Sequence, residues 1–268
     1  LTIGGATRLV GLIGDPVEHS LSPLMQNAAF AAVALDWSYV PLIVKREGLE
    51  EAVAGLEALG FAGANVTIPH KTAVVGYCDE LDEVAARAGS VNTLVVRDGR
   101  VLGSSTDGPA VAGLVEAEGA RVLVLGAGGG AQAVATSLGD AGAESITVAA
   151  RDGERAHALA ARLRTLFPDS EISAESDWPP SDREATLVVN ATPIRDEALI
   201  DLSPGQQVVD LAYRHDGSDT ALVAAARQAG CEHIVDGLEV LIGQGAASFE
   251  RWTGIEAPVP VMRAALSR

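Results

Sequence analysis

The segment that most constrains this chain is Arg121-Val122-Leu123-Val124-Leu125, which runs straight into Gly126-Ala127-Gly128-Gly129-Gly130-Ala131 and then into alanine-rich helical sequence. An apolar pentad of β-branched and leucyl residues is the pattern of a strand buried on both faces, which belongs to a parallel sheet covered by helices. A strand, a Gly-x-Gly-x-x-Gly/Ala turn and a helix together make the dinucleotide turn. Gly126 permits the tight reversal, Gly128 lets backbone approach a pyrophosphate, and Ala131 keeps the helix close to the strand. The helix N-terminus then faces the phosphates. In a chain with 29 glycines the pattern alone has little force. The flanking strand and helix give it force, against the alternative of a glycine turn needed only for close packing.

The residue at the end of the next strand selects the nucleotide. About 20 residues on, where an acidic side chain would take a ribose 2′-hydroxyl, the chain reads Ala149-Ala150-Arg151-Asp152. Arg151, with Arg155 one helical turn later, suits a 2′-phosphate through planar bidentate contacts. Asp152 opposes a phosphate, or serves only as the cap of the following helix. The expectation is NADP, with NAD as the alternative.

The same strand–helix alternation extends through the chain, which argues an α/β class. Strands are expected at Leu9–Ile13, Ser38–Ile43 and Asn65–Ile68, with Val91–Val96 and Val101–Leu102 forming a hairpin about Asp98-Gly99. Helices are expected at about Leu24–Ala34 and Glu47–Leu59. Further on, Pro109–Glu118, Gln132–Ala141 and Glu154–Phe167 read as helices, and Ser145–Ala149, Leu187–Val189, Val208–Leu211 and His233–Val235 as strands. The stretch 177–182 reads as a loop. From Leu238 the pattern changes to long helices, Leu238–Arg251 and Val259–Leu266, which depart from the second unit. At 268 residues, length alone gives roughly two domains.

Composition excludes several classes. With 48% hydrophobic and 21% charged residues the chain is neither disordered nor low-complexity. A net charge of −17 argues against nucleic acid and anionic membrane surfaces as partners. Cys78 and Cys231 cannot build a disulfide framework, and neither has a metal-spaced partner, nor do His157, His215 and His233. No metal and no covalent nucleophile are expected. The printed sequence shows no basic stretch leading into an apolar run and no apolar segment approaching about 20 residues, so the expectation is a cytoplasmic protein.

Three polar clusters fall at the carboxyl ends of strands in the first half, where open α/β sheets bind ligands. In His19-Ser20-Leu21-Ser22-Pro23, serines at i and i+2 of an extended loop point the same way and can grip a carboxylate, unless they are simple helix caps. In Asn65-Val66-Thr67-Ile68-Pro69-His70-Lys71, Asn65 and Thr67 share one strand face, odd for a buried strand without a polar ligand. The third cluster is Ser90-Val91-Asn92-Thr93 followed by Ser105-Thr106-Asp107-Gly108.

These segments in order, from Gly14-Asp15-Pro16-Val17-Glu18-His19-Ser20-Leu21-Ser22-Pro23 through Asn65–Lys71, Val91-Asn92-Thr93 and Thr106-Asp107-Gly108, resemble successive signatures of the shikimate dehydrogenase family. Gly126–Ala131, Asn190-Ala191-Thr192-Pro193 and Gly237-Leu238 to Gln244-Gly245-Ala246 continue the resemblance over essentially the whole chain. The resemblance implies reversible NADPH-linked reduction of 3-dehydroshikimate to shikimate, in aromatic amino-acid biosynthesis. It also implies a substrate domain of residues 1–106 and 238–268 with a mixed, mainly parallel sheet, and an inserted Rossmann-like NADP domain of residues 107–237.

Carried over by position, Ser20 and Ser22 hold the substrate carboxylate. Asn65, Thr67, Asn92, Asp107 and Gln244 hold its hydroxyls and ring, and Tyr213 lies near the carboxylate. Lys71 and Asp107 match the catalytic pair. The cofactor set is Gly126, Ala127, Gly128, Gly129, Gly130, Ala131, Arg151, Arg155, Ala191, Thr192 and Gly237, the last a backbone position near the nicotinamide. The chemistry agrees, because a hydride delivered to a ketone leaves an alkoxide that needs a proton and nearby positive charge. The alternative is a structural Lys71–Asp107 ion pair.

The chain departs from the family pattern at Gln26-Asn27 for His-Asn and at Ala150-Arg151-Asp152 for Asn-Arg-Thr. It departs also at Ile194-Arg195-Asp196 for glycine and methionine, and at Val240 for methionine. Two other functions stay open: a quinate or quinate/shikimate dehydrogenase with NAD preference, or a relative acting on an aminated analogue, and a dinucleotide-binding regulatory module without turnover. Monomer and homodimer are both compatible with the sequence.

Overall fold

The computed structural model describes residues 3–180 and 184–267. In chain order the elements are β1 (Arg8–Gly14), α1 (Ser22–Ala32), β2 (Trp37–Ile43), α2 (Leu49–Ala58), β3 (Gly63–Val66), β4 (Glu80–Leu81), α3 (Glu83–Ala88), β5 (Thr93–Arg97) and β6 (Arg100–Ser104). There follow α4 (Asp107–Ala112), β7 (Arg121–Leu125), α5 (Gly129–Asp140), β8 (Ser145–Ala149), α6 (Gly153–Leu166), β9 (Glu171–Glu175), β10 (Leu187–Asn190) and β11 (Gln207–Asp210). The last are α7 (Ala221–Ala229), β12 (His233–Val235), α8 (Gly237–Thr253) and α9 (Val259–Leu266). The chain divides into two compact units, one of residues up to Thr106 together with Leu241 onward, the other Asp107–Val240.

The first unit holds a mixed six-stranded sheet in the order β2-β1-β3-β5-β6-β4. β1 pairs in parallel with β2 and β3, whereas β5 is antiparallel to both β3 and β6. The β5–β6 reversal occurs at Asp98 and Gly99, both with positive φ (52° and 72°), the left-handed pair that a two-residue hairpin needs. The C-terminal helices complete this unit through aromatic packing. Phe249 stacks on Phe30 at 5.3 Å between ring centroids, and Trp252 donates its indole N–H to the Leu94 carbonyl at 2.8 Å.

The second unit is a wholly parallel six-stranded sheet, β12-β11-β10-β7-β8-β9. Numbered within the unit, this is the doubly wound order in which the winding reverses between β7 and β10. Its central strands are apolar over Val122–Leu125 and Leu187–Val189 because both faces are covered. Val122, Val124, Ile146, Val148 and Val189 pack with α5 and α6 side chains on one face, and Leu123, Leu125, Val188 and Val208 with Leu222 and Ala226 of α7 on the other.

Several expectations from sequence are corrected in detail. The Pro109–Glu118 pattern gives a helix that starts at Asp107 and ends at Ala112. β3 stops at Val66 rather than Ile68, ahead of Pro69, which has no N–H to offer a ladder. The helix read at Glu47–Leu59 begins with a 3₁₀ turn at Arg46–Gly48. Elements β4, α3, β9 and α7 add to those expected from the sequence. In the 177–182 loop, residues 177–180 lie outside helix and strand, and the remaining two fall outside the described residues.

Gly108 gives a sharp test of the packing of α4 on α5. A Cβ at this position would collide with the Ala133 carbonyl oxygen and the Ser137 hydroxyl. Alanine gains about 1 kcal/mol of helix propensity over glycine, but the obstructing carbonyl belongs to a buried helix backbone and cannot swing away. Overpacking of this kind costs about 1–3 kcal/mol, and the steric term wins. Gly108→Ala is expected to lower the urea midpoint with the m-value unchanged; a midpoint at or above that of the parent would refute the close approach.

Candidate active site

In the first unit the site residues are built on a buried polar network. Asn65 lies at the carboxyl half of β3 and is buried. Its Oδ1 accepts the Tyr39 hydroxyl at 2.8 Å, and its amide nitrogen donates to the Asn92 carbonyl, Thr93 Oγ1 and Ser248 Oγ at 2.9, 3.2 and 3.0 Å. Asn92, just before β5, donates from Nδ2 to Thr106 Oγ1 and Gln244 Oε1, and accepts the Thr106 N–H on Oδ1. Ser248 donates to the Gln244 carbonyl one helical turn back on α8. Thus Asn65, Asn92 and Gln244, read separately from the sequence, are brought into one hydrogen-bonded group. Tyr39, Thr93, Thr106 and Ser248 were not singled out as its partners. The i, i+4 spacing of Gln244 and Ser248 on α8 was the available signal.

Lys71 is half-buried and its backbone is fixed on both sides. The Val91 N–H donates to the Lys71 carbonyl at 2.8 Å. The preceding His70, fully buried, bonds the Val44 carbonyl through Nε2 at 2.6 Å, and its N–H donates to the Thr67 carbonyl. Thr67 lies just past β3, its N–H on the Ile13 carbonyl. The tight Pro69-His70-Lys71 turn therefore presents a lysine from a rigid base.

The serine pair departs from the extended loop expected. Leu21 is helical in conformation and Ser22 is the first residue of α1, with Pro23 behind it. The Ser22 N–H donates to Ser20 Oγ at 3.2 Å, which satisfies one otherwise orphaned helix-start donor. Ser22 is buried and Ser20 partly so.

In the second unit, Gly126 has φ +116°, a conformation that favours glycine, and its N–H donates to the Ala149 carbonyl at 2.7 Å. A Cβ there would come within 3.2 Å of Ala191 O and Thr192 Cγ2, so the glycine turn lies directly against the turn after β10. Gly128 caps α5 without a side chain, and a Cβ added to it would meet no protein atom. Packing alone therefore does not call for glycine at 128, whereas close approach of a ligand does. No acidic residue sits in the first turn of the twelve-residue α5, leaving its positive end uncompensated for an anion. Ala127 and Ala131 are buried, and Gly129 and Gly130 are the first helical residues.

Arg151 and Arg155 are exposed near the start of α6, and Asp152 Oδ1 accepts the Arg155 N–H at 3.2 Å as the cap of that helix. Asp107 opens α4 and is buried. Tyr213 follows β11 and is half-buried. Gly237 opens α8, where a Cβ would collide with the Ala212 carbonyl. His233 is on the edge strand β12 and bonds the Leu114 carbonyl at 2.7 Å, a packing role. Burial, with Asp79 nearby, pushes the Cys78 thiol up to about 11, and burial raises Cys231 as well, so both are held as unreactive thiols. Among the described residues no group of three or more histidine, cysteine, aspartate or glutamate side chains is placed to hold a metal ion, and no helix is long and apolar enough to cross a membrane.

A doubly wound parallel sheet with a glycine turn and an unopposed helix N-terminus at its switch point defines a dinucleotide-binding α/β protein. Family models described as the shikimate dehydrogenase substrate binding domain, shikimate/quinate 5-dehydrogenase and the shikimate 5′-dehydrogenase C-terminal domain match residues 12–94, 110–175 and 237–266. The chain belongs to the shikimate dehydrogenase family. It is 44% identical over 278 residues to shikimate dehydrogenase (NADP+) from Moorella thermoacetica, covering 98% of this chain and 93% of that one. A crystal structure of a shikimate dehydrogenase in complex with NADP+ superposes with a TM-score of 0.88 at 35% identity, covering 99% and 96% of the two chains. Quinate dehydrogenase from Corynebacterium glutamicum in complex with NAD superposes with a TM-score of 0.84 at 31% identity, covering 97% and 98%.

Two stability measurements probe the buried polar groups. Ser248→Ala removes a hydroxyl shared by Asn65 Nδ2 and Thr93 Oγ1; both keep other acceptors, so the loss is that of a net hydrogen bond, about 1 kcal/mol. Chemical denaturation is expected to register that loss; an unchanged stability would mean the network is dispensable.

The second concerns Asp210, whose carboxyl is pushed up to about 6. Burial is the largest cause, opposed by hydrogen bonds from Thr220, Ala212 and Asn190 and reinforced by the nearby Asp236 carboxylate. Because the folded carboxyl holds its proton to higher pH than the unfolded value of 3.8, the folded state binds more protons in between. Its contribution to stability is therefore greatest below about pH 4 and is lost as pH rises through about 6. The stability difference between parent and Asp210→Asn should drift against the parent over that window, by on the order of 2 kcal/mol. A difference independent of pH would refute the raised pKa.

Proposed function

We propose that the protein is an NADP-dependent oxidoreductase that interconverts 3-dehydroshikimate and shikimate, serving aromatic amino-acid biosynthesis. The observation that carries this reading is the near-full-length likeness to shikimate dehydrogenase (NADP+) combined with the presence of the whole ordered signature set, including Lys71 and Asp107. The regulatory alternative expects one of that pair to be lost.

The Gly126–Ala131 turn and the α5 N-terminus hold the dinucleotide's pyrophosphate, Arg151 and Arg155 take its 2′-phosphate, and Ala191, Thr192 and Gly237 border the rest. The uncrowded space at Gly128 and the acid-free first turn of α5 fit such a ligand. Bound NADPH supplies the hydride that reduces the ketone carbon. Ser20 and Ser22 hold the substrate carboxylate with Tyr213 nearby, and Asn65, Thr67, Asn92 and Gln244 hold the ring and its hydroxyls. As the carbonyl oxygen gains negative charge, the Lys71 ammonium stabilises it and transfers a proton to it. Asp107 accepts a hydrogen bond from a substrate hydroxyl. In the oxidative direction neutral Lys71 takes the hydroxyl proton back.

The rigid turn that carries Lys71 serves this chemistry, because a proton donor must reach one oxygen at hydrogen-bond distance. The buried amide network serves it also. Amides already fixed to one another present their remaining capacity in set directions, so little reorganisation accompanies binding.

Initial rates with shikimate and quinate, each with NADP+ and NAD+, test the reading. Shikimate with NADP+ is expected to give the highest kcat/KM. Turnover of quinate with NAD+ above that level would make the chain a quinate dehydrogenase, and no turnover with any pair would remove the enzymatic reading. Lys71→Ala is expected to lower kcat about 10²–10⁴-fold with little change in KM. An unchanged kcat would remove Lys71 from the mechanism.

A further inference from the structure

Asp210 is the last residue of β11, fully buried, and lies in register beside Asn190 at the end of β10. A buried carboxylate costs several kcal/mol unless its lone pairs are taken up. Here they are. Oδ1 accepts the Asn190 side-chain amide at 2.8 Å and the Ala212 N–H at 2.9 Å, and Oδ2 accepts the Thr220 hydroxyl at 2.5 Å. The Thr220 hydroxyl in turn caps α7 by accepting the Val223 N–H.

Asn190 carries the arrangement forward. The same Nδ2 that donates to Asp210 reaches the Ile194 carbonyl at 3.2 Å. Its Oδ1 accepts both the N–H and the hydroxyl of Thr192, at 2.9 and 2.7 Å. The Ile194 N–H then donates to Thr192 Oγ1, closing the turn on itself. On its other side this turn meets the glycine turn, with Ala191 O and Thr192 Cγ2 both 3.2 Å from the place a Gly126 Cβ would occupy. Asn190 can turn its amide either way, but a carboxylate only accepts, so Asp210 forces Nδ2 towards itself and Oδ1 towards Thr192. An inverted amide would set its oxygen against the carboxylate and its donors against the Thr192 N–H.

We propose that Asp210 is a positioning residue for the dinucleotide: acting through Asn190, it fixes the 190–194 turn against the glycine turn and so sets cofactor affinity without touching the cofactor. This rests on the dinucleotide reading given above. A carboxylate at a buried strand end is a costly residue for plain packing, where valine would serve the strand better. Its requirement here is for an acceptor facing the Asn190 amide and held in place by Thr220 and the Ala212 N–H.

Direct binding separates the two claims, since NADPH fluorescence titration needs no turnover. The parent, Asp210→Ala, Asp210→Asn, Asn190→Ala and the Asp210→Ala/Asn190→Ala double variant are titrated with NADPH, with melting temperature and the KM values for both substrates recorded alongside. Asp210→Ala and Asn190→Ala are each expected to weaken NADPH binding about tenfold. The double variant should be no weaker than the worse single one, since both act on one linkage. The KM for shikimate should stay within about twofold of the parent. Asp210→Asn, which keeps an acceptor for Asn190 and can donate to Thr220, should restore affinity to within about threefold. If Asp210→Ala does not fold, Asn190→Ala and Asp210→Asn carry the same test. Parent-like affinity in Asn190→Ala, or multiplicative losses in the double variant, would overturn the positioning role while leaving the dinucleotide reading intact. A parent chain that does not bind NADPH at all would overturn that reading itself.

Discussion

A hydrogen bond between Asn65 and Ser248, side chains 183 residues apart in sequence, is the interaction on which the first unit depends. It ties β3 to α8, two pieces of chain that are discontinuous, through a buried side-chain amide. Apolar packing alone would hold the two pieces together, as Phe30 against Phe249 does, but without fixing register along the helix axis. Directional bonds do fix it. Asn65, Thr93 and Thr106 meet Ser248 within 3.4 Å, and Gln244, one turn away, meets Asn92, so α8 has one permitted rotation and one permitted translation. Half-satisfied networks of this type are worse than an apolar core, and fully connected ones specify a single structure. Three of the residues that specify the unit, Asn65, Asn92 and Gln244, are thereby ones that the proposed function assigns to the substrate.

The second unit meets the same problem in a different way. The interiors of its central strands β7, β10 and β11 are apolar, and Gly126, Asn190 and Asp210 end or follow these three neighbouring strands at their carboxyl ends. At the switch point between β7 and β10 two turns leave the sheet on opposite sides, and the space between them is set by how each turn folds. Gly126 solves its turn by conformation, with φ at +116°. The Asn190 turn contains no glycine and solves its geometry by hydrogen bonds, ending on a carboxylate that costs the fold some stability at neutral pH.

Which parts of this were legible in sequence follows from how local each cause is. The β7 strand and glycine turn were legible because an apolar pentad, a tight turn and a helix are all written within a dozen residues. The Asp98-Gly99 hairpin was legible for the same reason. β9 was not, because Glu171-Ile172-Ser173-Ala174-Glu175 is an edge strand half open to water and carries no apolar run. Helix α7 carried its own signals, Thr220 as cap and Gly230 with φ +78° as terminator, yet it is nine residues long, shorter than the run by which a helix is told from a buried strand. For the site, motifs named Asn65, Asn92 and Gln244 one at a time. Nothing local says that they touch, because their meeting is a property of the sheet order β3-β5-β6 and of the return of α8. Asp210 was invisible: an aspartate after Gln207-Val208-Val209 reads as the end of a strand, and only burial beside Asn190 makes it a constraint.

The balance of charge can now be assigned to place rather than to the molecule. A chain of net charge −17 repels an anionic dinucleotide at long range, but that repulsion is screened within about 10 Å at ordinary ionic strength. What acts at contact distance is local. The first turn of α5 contains no acid, and Arg151 and Arg155 stand together at the start of α6. Two carboxylates lie between them in sequence, Asp152 and Glu154, and the position of Asp152 is dictated by the helix it caps, where it accepts the Arg155 N–H. A threonine there would cap α6 comparably, since hydroxyl and carboxylate caps differ by little in stability, but would place no negative charge beside a 2′-phosphate. Helix stability therefore does not demand aspartate over threonine at 152, and under the proposed cofactor assignment the carboxylate would moderate the preference that the two arginines create for a phosphorylated ribose.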